Sequence, residues 1–401
     1  MQNPTPQISQ ERIDILKSIP YQDAPSLGFI IHTGLLEENC RLLNTIKEVT
    51  GAKILLAQKG FSCFSTYPIL SNYLDGTTSS GLHEALLAKE YFGKEIHVYS
   101  PAFTPSEIQA IAPFCHSIIF NSIPQLSMGI EVSKALGTPE FGLRVNPEVS
   151  SNATEIYNPC APNSRLGTTR AALEKACSKD SKDSLKAISG LHFHTLCEED
   201  ADALEKTALA FEANFKDLFK QCKWLNFGGG HHITRPGYNI ELLCEIINHF
   251  QNKYDLRVYL EPGEAVALHT GVLNTRVLDI IENGNTQIAL LNTSATCHMP
   301  DVLEMPYRPN ILNSGLPDEK KFTYTLGGRS CLAGDIIGAY SFDRELQIGD
   351  DLQFLDMAHY TMVKTTTFNG VALPDICLYN EVHGLKVIRE FSYDDYKTRL
   401  S

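Results

Sequence analysis

No stretch of this 401-residue chain strings together the ~18 apolar residues of a membrane-spanning helix. Residues 1–14 are polar, without the basic-then-apolar order of a secretory signal, so a soluble, cytoplasmic protein is expected. Cysteine occurs eleven times, yet never as a Cys-x-x-Cys pair, which leaves no support for a disulfide framework or a structural zinc site. Most of these thiols read as small buried hydrophobes. Basic clusters are also missing. The net charge is −13, from 47 acidic against 34 basic residues, and nucleic acid is disfavoured because phosphate neutralisation needs grouped lysine and arginine. The same acidity suits a cationic small molecule. Internal repeats and low-complexity segments are absent as well, and no Gly-x-Gly-x-x-Gly turn follows a first strand, which argues against a doubly wound dinucleotide-binding sheet.

What is present is a regular alternation. After a strand-like run at 28–31 and a helical one at 34–49, short apolar segments fall at 53–57, near Leu74, and at 96–99, 117–120, 141–145, 188–194, 224–227 and 256–260. Helical stretches separate them, among them 81–91, 123–136, 201–220 and 240–251. Eight strands alternating with helices over roughly 210 residues predict a (β/α)8 TIM barrel. From Gly271 the pattern turns β-like, with runs at 272–281, 287–292, 352–355, 360–367 and 375–379, predicting a C-terminal all-β, barrel- or sandwich-like domain. The expected division is therefore a tail and lead-in at 1–27 packing on the β domain, the barrel at 28–270, and the β domain at 271–401. The long Asn-, Ser- and Pro-rich connection at 146–186 is expected to serve an active site or an interface.

Barrel enzymes gather their chemistry at the C-terminal ends of the strands. There the chain sets Lys59 after the first barrel strand, His192 and His194 after the sixth, Gly228-Gly229-Gly230 after the seventh, and Glu261-Pro262-Gly263-Glu264 after the eighth. A lysine on this lip is partly desolvated, which lowers its pKa and frees the neutral amine needed by a Schiff-base nucleophile. The glycine triplet offers backbone N–H groups to a phosphate. Glu261 is suited to a protonated pyridine nitrogen and His194 to stacking on a flat ring. Each residue alone has an ordinary structural explanation. Together on one rim they predict a pyridoxal 5'-phosphate site.

The same residues sit in motifs. Gln58-Lys59-Gly60-Phe61-Ser62, Asp75-Gly76 with Ser80-Gly81 and Glu84, Leu143-Arg144-Val145-Asn146-Pro147, the segment 190–198, the Gly228 triplet, Glu261-Pro262-Gly263-Glu264 and Cys331-Leu332-Ala333-Gly334-Asp335 resemble the alanine-racemase-fold, or fold-type III, decarboxylases. Ornithine, arginine and diaminopimelate decarboxylases belong to that group. The segments 298–309 and Leu326-Gly327-Gly328-Arg329-Ser330-Cys331 resemble its carboxynorspermidine (carboxyspermidine) decarboxylase branch, and the likeness spans all but the first ~20 residues, a lead-in of the kind that is often disordered. The resemblance implies Lys59 as the cofactor-bearing and catalytic lysine, His194 on the ring, Glu261 on the pyridine nitrogen, Gly228, Gly229 and Gly230 at the phosphate, and Tyr360 as a further phosphate contact. It further implies a homodimer with shared active sites, in which Cys331 reaches the partner subunit's site as a catalytic proton donor.

Two departures bear on specificity. Ornithine and diaminopimelate decarboxylases carry arginine where this chain has Glu264, and Cys197 replaces a frequent serine near the phosphate. A carboxylate there suits a polyamine's ammonium groups and would repel a second carboxylate, so Glu264 is expected to bind substrate, with Asp301 and Glu304 adding to an acidic lining. Asp335 joins these substrate-facing acids, although with Arg165 it also matches positions that pair across the dimer in relatives. The implied activity is decarboxylation of carboxynorspermidine and carboxyspermidine. Competing readings are a diaminopimelate or other basic amino-acid decarboxylase, a non-catalytic pyridoxal-binding regulator, and a cofactor-free barrel module.

Overall fold

The computed structural model describes residues 8–137, 139–151, 155–177 and 182–401. The chain divides into two compact units, residues 39–266 and residues 1–38 with 267–401. Its strands are β1 Gly28–His32, β2 Lys53–Ala57, β3 Gly76–Ser79, β4 Glu95–Ser100, β5 Ser117–Phe120, β6 Glu140–Arg144, β7 Ile188–His192, β8 Trp224–Asn226, β9 Arg257–Leu260, β10 Gly271–Asn283, β11 Thr286–Leu291, β12 Phe322–Gly327, β13 Ile336–Phe342, β14 Asp351–Leu355, β15 Asp375–Asn380 and β16 Gly384–Arg389.

In the first unit β2 to β9 form a closed, all-parallel barrel, sealed where Lys53 pairs with Tyr259. The short strands are buried along nearly their whole length because parallel strands under helices are covered on both faces. Leu55, Ile119, Trp224 and Tyr259 fill the interior. Trp224 fits only because Gly142 and Gly190 face it: a Cβ would stand 2.6 Å from the indole at Gly142 and 2.1 Å from it at Gly190. Helices Leu82–Tyr91, Ile123–Ser133, Ala201–Phe215 and Ile240–Tyr254 follow the expected stretches. The strand expected near Leu74 lies instead at Gly76–Ser79. Its Gly-Thr-Thr-Ser sequence has no apolar signal, and its first residue must be glycine, since a Cβ at Gly76 would meet Glu95 O at 2.0 Å. In the 146–186 connection, Val145 bridges Thr168 and helix Arg170–Cys177 follows.

The second unit is a mixed sheet in the order β13-β12-β11-β10-β1-β15-β16, with β14 also on β10. β1, grouped with the barrel in the sequence reading, belongs here: it runs antiparallel to β10 and parallel to β15. Its residues alternate between two cores, Phe29 in one with Leu273 and Phe354, and Ile30 in the other with Val272 and Cys377. Helix Gln10–Lys17 and Ile19 pack into the latter core through Leu16 and Ile19. Residues 1–7 lie outside the described residues. The run 360–367, read as a strand, starts with a helical turn, Tyr360–Val363. Its ends are tied by charge, with His359 bonding Asp356 and Lys364 pairing with Asp301 and Glu304, and these contacts outweigh the β-branched residues.

Candidate active site

Lys59 follows β2 in a tight turn, where Gly60 N–H returns to Ala57 O at 3.0 Å. Buried Gln58 stiffens this strand end, accepting from Ser79 Oγ at 2.7 Å and donating to Tyr67 Oη at 3.0 Å. Lys59 keeps open surface in the barrel mouth, yet protein atoms enclose it, and this desolvation, with the Arg144 cation, lowers its pKa against the opposing Glu261 and Glu84. Its nitrogen lies 3.4 Å from His194 Nε2.

His194 Nδ1 accepts the Gly229 N–H at 3.0 Å, so the neutral ring carries its proton on Nε2, facing Lys59. Burial, then Lys59 and Arg144, hold this histidine well below its ordinary pKa. The imidazole thus turns its Nε2–H toward the Lys59 nitrogen, whose pKa burial lowers. Arg144 anchors the arrangement, donating to His194 O at 2.9 Å while its guanidinium lies over the Tyr99 ring at 4.7 Å.

Behind them Glu261 is buried. Burial opposes its ionisation, but His192 at 3.3 Å and the Asn226 amide at 2.7 Å outweigh it and bring the carboxyl down to about 2. Burial pushes His192 down despite Glu261, so at neutral pH the pair carries its charge as carboxylate. Asn226 also accepts the Gly228 N–H at 2.8 Å, linking the carboxylate to the glycine loop. That loop admits no side chain: a Cβ at Gly229 would lie 2.1 Å from Glu261 O and one at Gly230, whose φ is +87°, 1.9 Å from Leu196 O.

A buried ionised carboxylate, a desolvated lysine and a side-chain-free backbone cradle on one rim match the chemical needs of pyridoxal phosphate. A family model described as the pyridoxal-dependent decarboxylase, C-terminal sheet domain, matches residues 96–358. The chain belongs to the pyridoxal-dependent decarboxylases. It is 46% identical over 390 residues, 94% of this chain and 99% of the relative, to a carboxynorspermidine/carboxyspermidine decarboxylase of Campylobacter jejuni. It is 42% identical to a carboxyaminopropylagmatine decarboxylase of Synechocystis, over 98% of this chain and all of the relative. A crystal structure of carboxynorspermidine decarboxylase from Campylobacter jejuni, complexed with norspermidine, superposes with a TM-score of 0.84 at 46% identity, covering 93% of this chain and 99% of that one. This decarboxylase is thus a carboxy-lyase that uses pyridoxal phosphate.

The barrel unit brings together Lys59, His194, Glu261 and the glycine triplet. Arg144, Asn226 and His192 belong with them, although no role was predicted for these three. A motif containing Arg144 carried the family resemblance, and His192 was noted at its strand end, but their contacts depend on neighbouring strands. Glu264 also lies in the barrel unit, whereas Asp301, Cys331, Asp335 and Tyr360 belong to the sheet unit. Cys331 is exposed, its N–H donating to Asn369 Oδ1 at 2.7 Å, and Tyr360 opens the helical turn described above.

The acids expected at the substrate already have partners in the protein. Glu264 Oε2 lies 3.1 Å from His232 Nε2. Asp301 and Glu304 both pair with Lys364, the latter at 2.6 Å. Asp335 is buried and accepts from Ser294 Oγ, Ser330 N–H and Thr296 N–H at 2.7, 3.1 and 3.2 Å. Arg165 is exposed.

Proposed function

We propose that this enzyme decarboxylates carboxynorspermidine and carboxyspermidine, releasing norspermidine or spermidine and CO2 in polyamine biosynthesis, as a cytoplasmic homodimer. The observation that carries the substrate is the near full-length likeness to a decarboxylase of that name and to its norspermidine complex.

Bound pyridoxal phosphate supplies the electron sink for the carbanion left when CO2 departs. Lys59, whose pKa burial lowers toward the neutral amine, would be the nucleophile that holds the cofactor. His194 orients the amine through Nε2–H and would offer a flat face to the ring. Ionised Glu261 would stabilise a protonated pyridine nitrogen, and Asn226 and His192 keep that carboxylate from turning away. The glycine loop, which admits no side chain, would make room for the phosphate. Tyr360 as a second phosphate contact and Cys331 as the donor that returns a proton to Cα in the partner's site rest on the motif resemblance.

The Synechocystis relative supports a second reading, carboxyaminopropylagmatine, in which a guanidino group replaces the distal ammonium. CO2 release with saturating cofactor, compared across carboxynorspermidine, carboxyspermidine, carboxyaminopropylagmatine and diaminopimelate, decides between them. Preference for the first two, abolished in Lys59→Ala, is the expected result. Preference for the guanidino substrate overturns the substrate and keeps the chemistry.

A further inference from the structure

The glycine loop lies between two neighbours and is tied to both. On one side Glu199 N–H donates to Gly230 O and His232 N–H to Glu199 O, each at 3.1 Å. On the other, Glu261 N–H donates to Gly228 O at 2.7 Å and Thr234 Oγ1 to Ala265 O at 2.6 Å. An ionic tie on that second side joins His232 and Glu264, at 3.1 Å, with His232 buried and Glu264 mostly so. Gly60 leans on the same residue, since a Cβ there would stand 2.9 Å from Glu264 N. Glu264 therefore touches the turn that bears Lys59 and the loop that bears the phosphate cradle.

A carboxylate beside a dianion site raises an electrostatic problem, because like charges in a partly desolvated pocket repel strongly. An imidazolium at His232 cancels it. We propose that the His232–Glu264 pair is a charge-neutral clamp that aligns the glycine loop with the 261–264 loop and sets the affinity for the cofactor's phosphate. Glu264 is then a positioning residue and not the receptor of a substrate ammonium group. Drawing Glu264 away to bind substrate would strand a buried imidazolium, which is costly.

The surroundings agree. Burial alone would lower the pKa of His232, but Glu264 and then Glu198 overcome it, Arg235 opposes them only weakly, and the result lies above the ordinary value. His231 alongside is pushed down to about 4 by burial and by His232, so it adds no competing charge at neutral pH. A histidine raised in this way is charged below its folded pKa and loses its proton as pH rises through it. The pair then becomes net negative beside the phosphate.

The inference rests on the pyridoxal-phosphate reading of the rim, and its test separates the two. Equilibrium dialysis of the holoenzyme against graded pyridoxal phosphate, from pH 6 to 9, measures cofactor affinity for the wild type, Glu264→Gln, His232→Gln and Glu264→Asp. Wild-type affinity is expected to fall about tenfold across the titration of His232, the effect of a one-unit pKa change on binding. Both glutamine variants should lose this component, the aspartate should restore it, and pyridoxal without phosphate should show none. At saturating cofactor, KM for carboxynorspermidine should stay within about twofold, as for a residue that does not touch the substrate. The proposal is overturned if Glu264→Gln keeps the wild-type pH dependence, or if it raises that KM tenfold while cofactor affinity is unchanged. A wild-type holoenzyme without a Lys59-dependent visible absorption band would sink the cofactor reading itself.

Discussion

Strand β2 has a lysine at its start and another just beyond its end, and the two have opposite fates. Lys53 lies 3.3 Å from both Asp75 and Glu95, and Lys47 joins Asp75 at 3.0 Å. Burial would lower the Lys53 pKa, but Asp75 and Glu95 raise it on balance. Glu95 falls to about 2, where His97 and Lys53 outweigh its burial, and Tyr259 Oη donates to it at 3.1 Å. Six residues later Lys59 meets an imidazole instead of a carboxylate, and its pKa drops. At the N-terminal rim charges are paired and serve stability. At the C-terminal rim a desolvated amine faces an imidazole without a carboxylate partner of that kind.

The sharpest test of this contrast is Lys59→Ala. It should cost on the order of 10^3-fold or more in kcat, measured as CO2 release, while the melting temperature stays level or rises because a desolvated amine has gone. Glu261→Gln comes next, with an expected loss of about 10^2-fold in kcat, as when one electrostatic stabiliser of a developing charge is removed. Glu95→Gln should leave kcat within about twofold and cost about 2 kcal/mol of stability in urea unfolding, because His97, Lys53 and Tyr259 lose a shared acceptor. Loss of activity there would break the division between the rims. Lys53→Met should be smallest, about 1 kcal/mol or less, as for a partly exposed ion pair.

Acid unfolding sharpens the comparison from a different side. Glu95 and Glu261 both have folded pKa values depressed from an ordinary 4.5 to about 2. Their stabilisation is fully present above about 4.5 and lost as pH falls from there toward 2. Melting temperature should therefore drop steeply over that window, and less steeply in Glu95→Gln.

Much of this was legible in residue order. Lys59, His194, the glycine triplet and Glu261 stand at strand ends, and a β/α alternation implies that such ends share a rim. β3 was misplaced because Gly76-Thr77-Thr78-Ser79 gives no apolar signal and its need for glycine depends on Glu95 from the next strand. The Tyr360–Val363 turn was missed because its ends are tied by residues far away in the chain, Asp301 and Glu304 among them. The roles of Arg144 and Asn226 were hidden for the same reason: Arg144 bonds a carbonyl on the strand-end segment after β7, and Asn226 a carboxylate after β9.

Local pattern by itself determined the barrel and the cofactor chemistry and marked Lys59 as the candidate nucleophile, because strand periodicity and residue type act over a few positions. Partnership was decided only by tertiary structure. Glu264 and Asp301 read in sequence as acids facing a cationic substrate, and Asp335 as another that also matches a dimer-pairing position; folding brings each a partner from another segment: His232, Lys364 and Ser294. The charge of a side chain is written in its chemistry, but whether that charge is available depends on what the fold sets beside it.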